Sequence, residues 1–283
     1  MTTIFDPAES GFDERLGRID RCQIALLREI AAAYGPRLTL KGGMAMRAVF
    51  GSMRLTRDID FDRDPSVSLD SAKKALPKAL VRAATNACIR QLRAEVTKST
   101  CTTIRVRLVG HSTSGVELRF EVEVSGRGAL AGAHRRVETV VPPPGYGMAP
   151  FTVNTYSNDM LAAMKISAAM SDARNVPRDL YDLADLAQAG ANPASILASQ
   201  PAAVLEGIGE RAFSKLDLVG YDRAREELLP YLPPPIRDAL TEAVWDGKIL
   251  QVGAAIESWV AEALRLQQRS RGDATPHVSG EDA

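Results

Sequence analysis

A glycine pair followed by two closely spaced aspartates is the feature of this sequence that most constrains its fold. Gly42-Gly43 opens an apolar segment, and Asp58-Ile59-Asp60-Phe61 follows it. Side chains alternate between the two faces of a strand, so a strand here places both carboxylates on one face and Ile59 and Phe61 in the core. Neighbouring like charges repel unless a cation lies between them. The pattern predicts a strand carrying two metal-binding carboxylates, with Asp62 exposed where the strand ends.

The glycine pair lies where a ligand-binding turn is expected, between a predicted strand and a predicted helix. Glycine lets the backbone approach a ligand closely, and the N–H groups at the start of a helix attract phosphate. Carboxylate oxygens with coordination positions left for water and phosphate favour Mg²⁺, with Mn²⁺ as the alternative. Together the two motifs predict metal-assisted nucleotidyl or phosphoryl transfer.

The apolar periodicity predicts an α/β (α+β) fold in which a small mixed sheet precedes a set of helices. The predicted helices of the first part are Leu16–Tyr34, Gly42–Phe50 and Asp70–Leu92 (interrupted near Pro77), and the predicted strands are Arg37–Lys41, Arg57–Asp62, Thr102–Val109 and Val116–Ser125. Three consecutive prolines at 142–144 predict a linker. We therefore expect an N-terminal lobe of residues 1–141, a helical lobe of residues 150–269 and a disordered polar tail of residues 270–283.

Composition excludes several classes of protein. Hydrophobic residues make up 45% of the chain and charged residues 25%, which is typical of a globular protein, and no apolar run is long enough to cross a bilayer. The acidic N-terminus carries no signal-peptide pattern, so we expect a cytoplasmic protein without a membrane partner. The 3 cysteines and 3 histidines are too scattered for a metal site.

One segment is strongly basic although the net charge of the chain is +0. Between Lys73 and Arg107 there are nine basic residues and a single acidic one, Glu95, which gives a local charge of +8. A solvated helix face is the usual explanation for a run of charge, but this imbalance of sign favours a polyanionic partner. Aromatic residues are only 5% of the chain, so we expect recognition of a folded RNA through its backbone and shape.

Two blocks of the sequence resemble the AbiEii-type nucleotidyltransferase toxins, a branch of the polymerase-β-like nucleotidyltransferases to which the mycobacterial MenT toxins also belong. The first block is Lys41-Gly-Gly-Met-Ala-Met46 followed by Arg54-Leu-Thr-Arg-Asp-Ile-Asp-Phe61. The second is Met160–Lys165, followed by Arg174 and by Arg178-Asp-Leu-Tyr-Asp-Leu183. The resemblance implies a polymerase-β-like nucleotidyltransferase lobe followed by a helical lobe.

The resemblance also implies roles for individual residues. Asp58 and Asp60 would bind the metal. The residues that would contact the nucleotide are Gly42, Gly43, Thr56, Lys165, Arg174 and Arg178. Glu121 would orient or deprotonate the acceptor hydroxyl. Either Asp179 or Asp182 would contact Lys165 or the nucleotide, and the sequence leaves the choice between them open.

Simpler interpretations of these residues stay open at the level of sequence. Glu121 lies on a strand whose outer face is polar throughout, and Thr56 is an ordinary strand residue. Lys165 could extend from an apolar helix to solvent. Asp179 could favour a helix N-terminus, while Arg178 could pair with Asp182 one turn later.

The function implied by the resemblance is that of a toxin of a toxin–antitoxin pair. Such an enzyme would add nucleotides from NTP to the 3′ end of tRNA, which blocks aminoacylation and translation, and a cognate antitoxin would be its partner. One alternative is a nucleotidyltransferase that modifies a small molecule, such as an aminoglycoside, or a protein hydroxyl. Another is a non-catalytic module that binds RNA or protein.

Overall fold

The computed structural model describes residues 4–126, 129–172 and 174–273, which form two compact units. The first unit runs to Ser157 and also includes Leu228–Leu240. The second unit contains Asn158–Glu227 and continues from Thr241. The chain therefore passes from the first unit to the second, returns for a short segment and leaves again.

A seven-stranded mixed sheet forms the centre of the first unit. Its strands are β1 (Leu38–Lys41), β2 (Asp58–Arg63), β3 (Arg90–Ser99), β4 (Thr103–His111), β5 (Glu117–Ser125), β6 (Arg135–Val140) and β7 (Phe151–Tyr156), in the order β3-β4-β5-β2-β1-β7-β6. β2 pairs with β5, and β1 with β7, in parallel, while the other pairs are antiparallel. The predicted mixed sheet is confirmed.

One face of this sheet is apolar and is covered by two helices. Ile104, Val106 and Leu108 of β4 are fully buried, and they alternate with arginines that point to the other face. The helices α1 (Glu14–Tyr34) and α3 (Leu69–Asn86) pack against each other, and α3 also packs against β3 and β4. Burying each large aliphatic side chain contributes roughly 1.5–3 kcal/mol, so this layer is the main core of the unit.

A buried ion pair fixes the short helix α2 (Gly42–Ala48), which begins with the glycine pair. Nη2 of Arg47 lies 2.7 Å from Oδ2 of Asp20 on α1, and both side chains are almost completely buried. The phenol of Tyr146 donates a hydrogen bond to the same carboxylate. Removing one partner of such a pair typically destabilises a protein by about 3–5 kcal/mol, so α2 is held firmly beside the sheet.

The predicted helix Asp70–Leu92 is too long. Helix α3 continues through Pro77 but ends at Asn86, and β3 begins at Arg90. Cys88 in the turn between them has φ 62°, a left-handed conformation that stops a helix, and Gln91 near the start of β3 has φ 52°. Since neither residue is glycine, the sequence carries no ordinary signal for this turn.

The division between the units differs from the predicted linker at 142–149. Strand β7 lies beyond the prolines yet pairs with both β1 and β6, so the first unit extends to Ser157. Residues 228–240 join the same unit, because the N–H of Leu55 donates to the carbonyl of Tyr231 at 2.8 Å. The guanidinium of Arg57 also lies over the Tyr231 ring at 4.9 Å.

The second unit is entirely helical in its described part. Its helices are α4 (Asn158–Ala169), α5 (Pro177–Gln188), α6 (Ala194–Leu197), α7 (Ala202–Asp217), α8 (Tyr221–Glu227) and α10 (Glu242–Asp273), while α9 (Pro234–Ala239) belongs to the first unit. Helix α10 packs against α5, α6 and α7, and it continues into the start of the predicted tail. Residues 274–283 of that tail lie outside the described residues. No described helix has the length and apolar character needed to span a membrane.

Candidate active site

The two aspartates of β2 lie together on the polar face of the sheet. Asp58 and Asp60 are both half-buried, whereas the intervening Ile59 is fully buried and Phe61 is nearly so. Asp60 lies opposite Lys41 of β1 in the strand register. The alternation along β2 is therefore the one that the sequence predicts.

Gly42 lies against the second aspartate. A Cβ atom added at Gly42 would stand only 2.5 Å from Oδ2 of Asp60, and the residue has φ +66°, which disfavours any other side chain. A Cβ atom at Gly43 would lie 2.8 Å from both Nη2 of Arg54 and Oγ1 of Thr56. The structure thus brings the glycine pair, Thr56 and Asp60 into one small region.

Arg54 and Thr56 line the buried approach to β2. Arg54 is 2% exposed, and its Nη1 donates to the carbonyl of Leu55 at 3.0 Å. The N–H of Asp58 donates to Oγ1 of Thr56 at 3.4 Å, so this hydroxyl supports the start of the strand. Arg54 belongs to the first sequence block, and its position beside Gly43 makes it a further candidate residue of the site.

Glu121 lies next to Asp58 in the register of β2 and β5, but its carboxylate is engaged by arginines. Oε1 accepts from Nε and Nη2 of Arg107 at 3.1 and 2.9 Å, and Oε2 lies 3.4 Å from Nη1 of Arg105. The neighbouring Glu123 accepts from Arg105 at 2.7 Å. A catalytic role for Glu121 stays a prediction, and the contacts give it a second role in a cross-strand ladder.

The expectation that Asp62 is a surface charge is wrong. Asp62 has 0% exposure because β2 continues to Arg63 and is flanked by β1 and β5. Its Oδ1 accepts from Nζ of Lys41 at 2.6 Å and from Oγ of Ser125 at 2.5 Å, and its Oδ2 accepts from the Tyr156 hydroxyl at 3.0 Å. Burial and the Asp62 charge raise the pKa of Tyr156, so its phenol stays a donor.

The donor chemistry of the aspartate pair fits a small divalent cation. Within the described ranges, no group of three or more His, Cys, Asp or Glu side chains is placed to hold a metal ion. Asp58 and Asp60 therefore offer two carboxylates, and water and substrate would complete the coordination shell. Mg²⁺ usually binds in this way, through one or two carboxylates and phosphate oxygens.

The second unit holds a compact cluster around Lys165, which projects from α4. Its Nζ lies 2.8 Å from Oδ1 of Asp179 and 2.6 Å from Oδ2 of Asp182. Nε of Arg174 donates to Oδ2 of Asp179 at 2.6 Å. Both aspartates that the sequence could not separate thus contact the lysine. Asp182 pairs with Lys165, and Arg178 stands on the first turn of the same helix, α5.

Charge explains the ionisation of Asp179 in this cluster. Burial alone would raise its pKa, because a buried carboxylate loses its hydration. The positive charges of Lys165 and Arg174, and their hydrogen bonds, outweigh burial and lower the pKa of Asp179 to about 2. Asp179 is therefore ionised at neutral pH and pairs with both Lys165 and Arg174.

The basic run Lys73–Arg107 does not form one continuous surface. Lys74, Lys78 and Arg82 are exposed on α3, which covers the apolar face of the sheet. Arg105 and Arg107 point to the opposite, polar face, where they pair with Glu121 and Glu123. The basic run alone does not show that its cations lie on two faces of the sheet. Nor does it show that some of them are paired, because the partner glutamates lie further along the chain.

A mixed sheet that presents a glycine turn and two neighbouring aspartates defines a nucleotidyltransferase type of site. Comparison with protein families gives the specific assignment: residues 25–263 match the family described as nucleotidyl transferase AbiEii toxin, type IV toxin–antitoxin system. Because the match spans most of the chain, the protein belongs to this family and is a nucleotidyltransferase toxin.

Solved structures resemble this fold at low sequence identity. The crystal structure of JHP933 from Helicobacter pylori is 16% identical, with a TM-score of 0.58, and the likeness covers 93% of this chain and 99% of that one. MenT4, a nucleotidyltransferase toxin from Mycobacterium tuberculosis, is also 16% identical, with a TM-score of 0.48 and 91% of each chain covered. At such identities the first likeness supports the fold alone. Comparison with curated protein sequences gives no match.

Proposed function

We propose that this toxin transfers nucleotides from NTP to the 3′-terminal hydroxyl of tRNA, which blocks aminoacylation and stops translation. The observation that carries the proposal is the pair Asp58 and Asp60 on the polar face of β2, with the Gly42 backbone against Asp60. In this reaction the acceptor hydroxyl gives up its proton to water and its oxygen attacks the α-phosphorus of NTP. The bond from that phosphorus to the bridging β-phosphate oxygen breaks, and pyrophosphate leaves with the electron pair of that bond.

Asp58 and Asp60 would hold Mg²⁺, or Mn²⁺ in its place, which when bound neutralises phosphate charge and activates the attacked phosphorus. The Gly42-Gly43 backbone would approach the triphosphate, since neither residue has a side chain in the way. Thr56 and the buried Arg54 lie beside Gly43 and would contact the same phosphates. Glu121 is kept as a group that orients the acceptor hydroxyl.

Lys165, Arg174 and Arg178 are proposed nucleotide contacts on the strength of the sequence resemblance. The ion pairs of Lys165 with Asp179 and Asp182 support a fixed position for its ammonium group. In this proposal the two aspartates act through the lysine.

An antitoxin partner and a tRNA acceptor are two further parts of the proposal, and the family supports the first of them. A type IV toxin–antitoxin system implies a cognate antitoxin as partner, and both act in the cytoplasm in this proposal. The acceptor is tRNA in the function implied by the sequence blocks, and the exposed cations of α3 offer a local surface for its phosphates in a chain of zero net charge.

A second candidate is transfer to a small molecule or to a protein hydroxyl. One observation favours it: the polar face of the sheet, where Asp58 and Asp60 lie, is not strongly basic. Its cations on β3 and β4 are opposed by acidic side chains on β3 and β5, as in the pairs Arg105–Glu123 and Arg107–Glu121.

The test is to incubate the purified protein with total tRNA, Mg²⁺ and each α-labelled NTP in turn. Wild type should label tRNA, and Asp58→Asn and Asp60→Asn should reduce labelling by about 1,000-fold, since each removes a metal ligand worth several kcal/mol. Asp70→Asn, at an exposed carboxylate of the same unit, is the matched control and should label normally. Absence of label on tRNA with all four nucleotides would overturn tRNA as the acceptor, and label on aminoglycosides or proteins would establish the second candidate.

A further inference from the structure

The buried carboxylate of Asp62 has no assigned role in the proposed reaction, although it lies on the same strand face as the aspartate pair. Lys41 and Ser125 contact its Oδ1, and Tyr156 contacts its Oδ2. Lys41 is only 18% exposed, and Asp62 is completely buried. A buried charge of this kind is costly unless it is paired, and the ion pair with Lys41 supplies the counter-charge for Asp62.

Lys41, the partner of Asp62, also lies beside the proposed metal ligand Asp60. The two residues are directly opposite in the antiparallel register of β1 and β2. Opposite residues have Cβ atoms about 4.5–5.5 Å apart, so a lysine there is within reach of the facing carboxylate. Instead, the ammonium group of Lys41 runs diagonally to Asp62 and Ser125, one same-face position further along β2 and β5.

We propose that Asp62 is a positioning residue: its carboxylate holds and neutralises the ammonium group of Lys41, so that no uncompensated positive charge faces a metal ion bound at Asp60. The inference rests on the proposed function, in which Asp60 is a metal ligand. Without Asp62, the positive charge of Lys41 would stand uncompensated beside the metal site. A unit charge about 6 Å from a divalent cation in a water-like dielectric weakens binding about tenfold.

The experiment measures metal affinity rather than activity. Mn²⁺ alone is titrated into each protein, and the electron paramagnetic resonance signal of the free ion reports the bound fraction. The proteins are wild type, Asp60→Asn, Asp62→Asn, Lys41→Met and the double variant Lys41→Met/Asp62→Asn, each checked for folding by circular dichroism. Asparagine at 62 keeps the shape and an acceptor for Ser125 or Tyr156, so the change is mainly one of charge.

We expect Asp62→Asn to bind Mn²⁺ about tenfold more weakly than wild type, and Lys41→Met to bind at least as tightly. The double variant should return to within about twofold of wild type, because both charges are then absent. A purely structural role for Asp62 predicts no such rescue. A double variant that binds as weakly as Asp62→Asn therefore overturns the inference.

Two further outcomes are decisive. If Asp62→Asn does not fold, the folded double variant carries the test, and a tenfold weaker affinity for Mn²⁺ than wild type overturns the inference. If wild type and Asp60→Asn bind Mn²⁺ alike, the proposed metal site itself fails, and the inference fails with it. The two failures can be told apart. If only the inference fails, Asp60→Asn still binds Mn²⁺ more weakly than wild type, but the double variant does not regain wild-type affinity.

Discussion

At the scale of single residues, the space around the carboxylate of Asp60 is set by the missing side chain of Gly42. We expect Gly42→Ala to abolish nucleotide transfer, because its Cβ would stand 2.5 Å from Oδ2 of Asp60 and displace that carboxylate. The left-handed φ of +66° adds roughly 1–2 kcal/mol of instability. Transfer assays and urea unfolding of the variant measure the two effects.

Gly115→Ala is the matched control for this substitution. Gly115 also has a left-handed φ, +81°, but nothing lies within 4 Å of an added Cβ atom. Its alanine variant should therefore lose stability by a similar amount while keeping its activity. Equal activity in both variants would show that Gly42 does not position Asp60.

The ionisation of Asp179 makes a prediction about acid stability. Its folded-state pKa of about 2 lies below the ordinary value, so ionised Asp179 stabilises the second unit above about pH 4, and this stabilisation is lost as pH falls towards 2. The shift corresponds to about 2 kcal/mol. Asp179→Asn should be less stable at pH 7 but should lose less stability between pH 5 and pH 2 in urea unfolding.

The control for this prediction is Asp172→Asn in the same unit. Asp172 has an 87% exposed side chain, and Nη1 of its partner Arg211 lies 3.5 Å away, so its contribution to stability is small. The control should follow the wild-type dependence on pH. An Asp179→Asn variant that also follows the wild type would contradict the proposed charge cluster.

The sequence identified Asp58 and Asp60 because their relation is local: alternation along one strand suffices to put both on one face. It did not identify the burial of Asp62, whose partners Ser125 and Tyr156 come from strands far along the chain. Strand pairing brings these residues together, and a single sequence carries no record of which strands pair. The sequence blocks likewise do not decide which of Asp179 and Asp182 contacts Lys165. In the fold both aspartates do.

At the scale of elements, the ladder across β4 and β5 decides what Glu121 can do. Its carboxylate accepts two hydrogen bonds from Arg107 and forms an ion pair with it, so this side chain holds the two strands together. We expect Glu121→Gln to lower the transfer rate by less than about tenfold, whereas loss of a general base lowers it by about 100-fold to 10,000-fold. Steady-state kinetics with separate kcat and KM values measure the effect.

Glu123→Gln provides the comparison for Glu121. Glu123 lies in the same ladder, pairs with Arg105 and stands opposite Asp60 in the register, so it experiences a similar loss of charge. The two variants should behave alike. A loss of more than about 100-fold in Glu121→Gln alone would instead establish Glu121 as the base.

The elements that the sequence missed share a physical reason. β3 and β6 are the outermost strands of the sheet, and an edge strand need not show a buried apolar face. In β3 every position is exposed or half-buried, so no buried apolar face marks the strand in the sequence. β7 follows the proline segment, which predicted a linker instead of a strand. The central strands and long helices were predicted because their apolar periodicity is strong.

At the scale of the whole molecule, zero net charge conceals an uneven distribution of charge. The basic run separates into a helical part on one side of the sheet and a strand part on the other, and in the strand part Arg105 and Arg107 are paired with glutamates. An RNA held by electrostatic attraction would therefore rely mainly on α3. There Lys74, Lys78 and Arg82 recur every four residues, which places them along one face of the helix.

This distribution predicts how tRNA binding responds to salt. Each lost phosphate contact reduces the slope of log affinity against log salt by about 0.7–0.9, so Lys74→Ala/Lys78→Ala/Arg82→Ala should reduce it by roughly 2–3. Filter binding of tRNA between about 50 and 200 mM salt measures the slope. The control Arg223→Ala/Arg225→Ala/Arg237→Ala removes the same charge from residues that pair with nearby acids, and should leave the slope almost unchanged. Equal slopes for both triple variants would mean that net charge, rather than the α3 face, governs binding, and the RNA-binding surface would then have to be sought elsewhere.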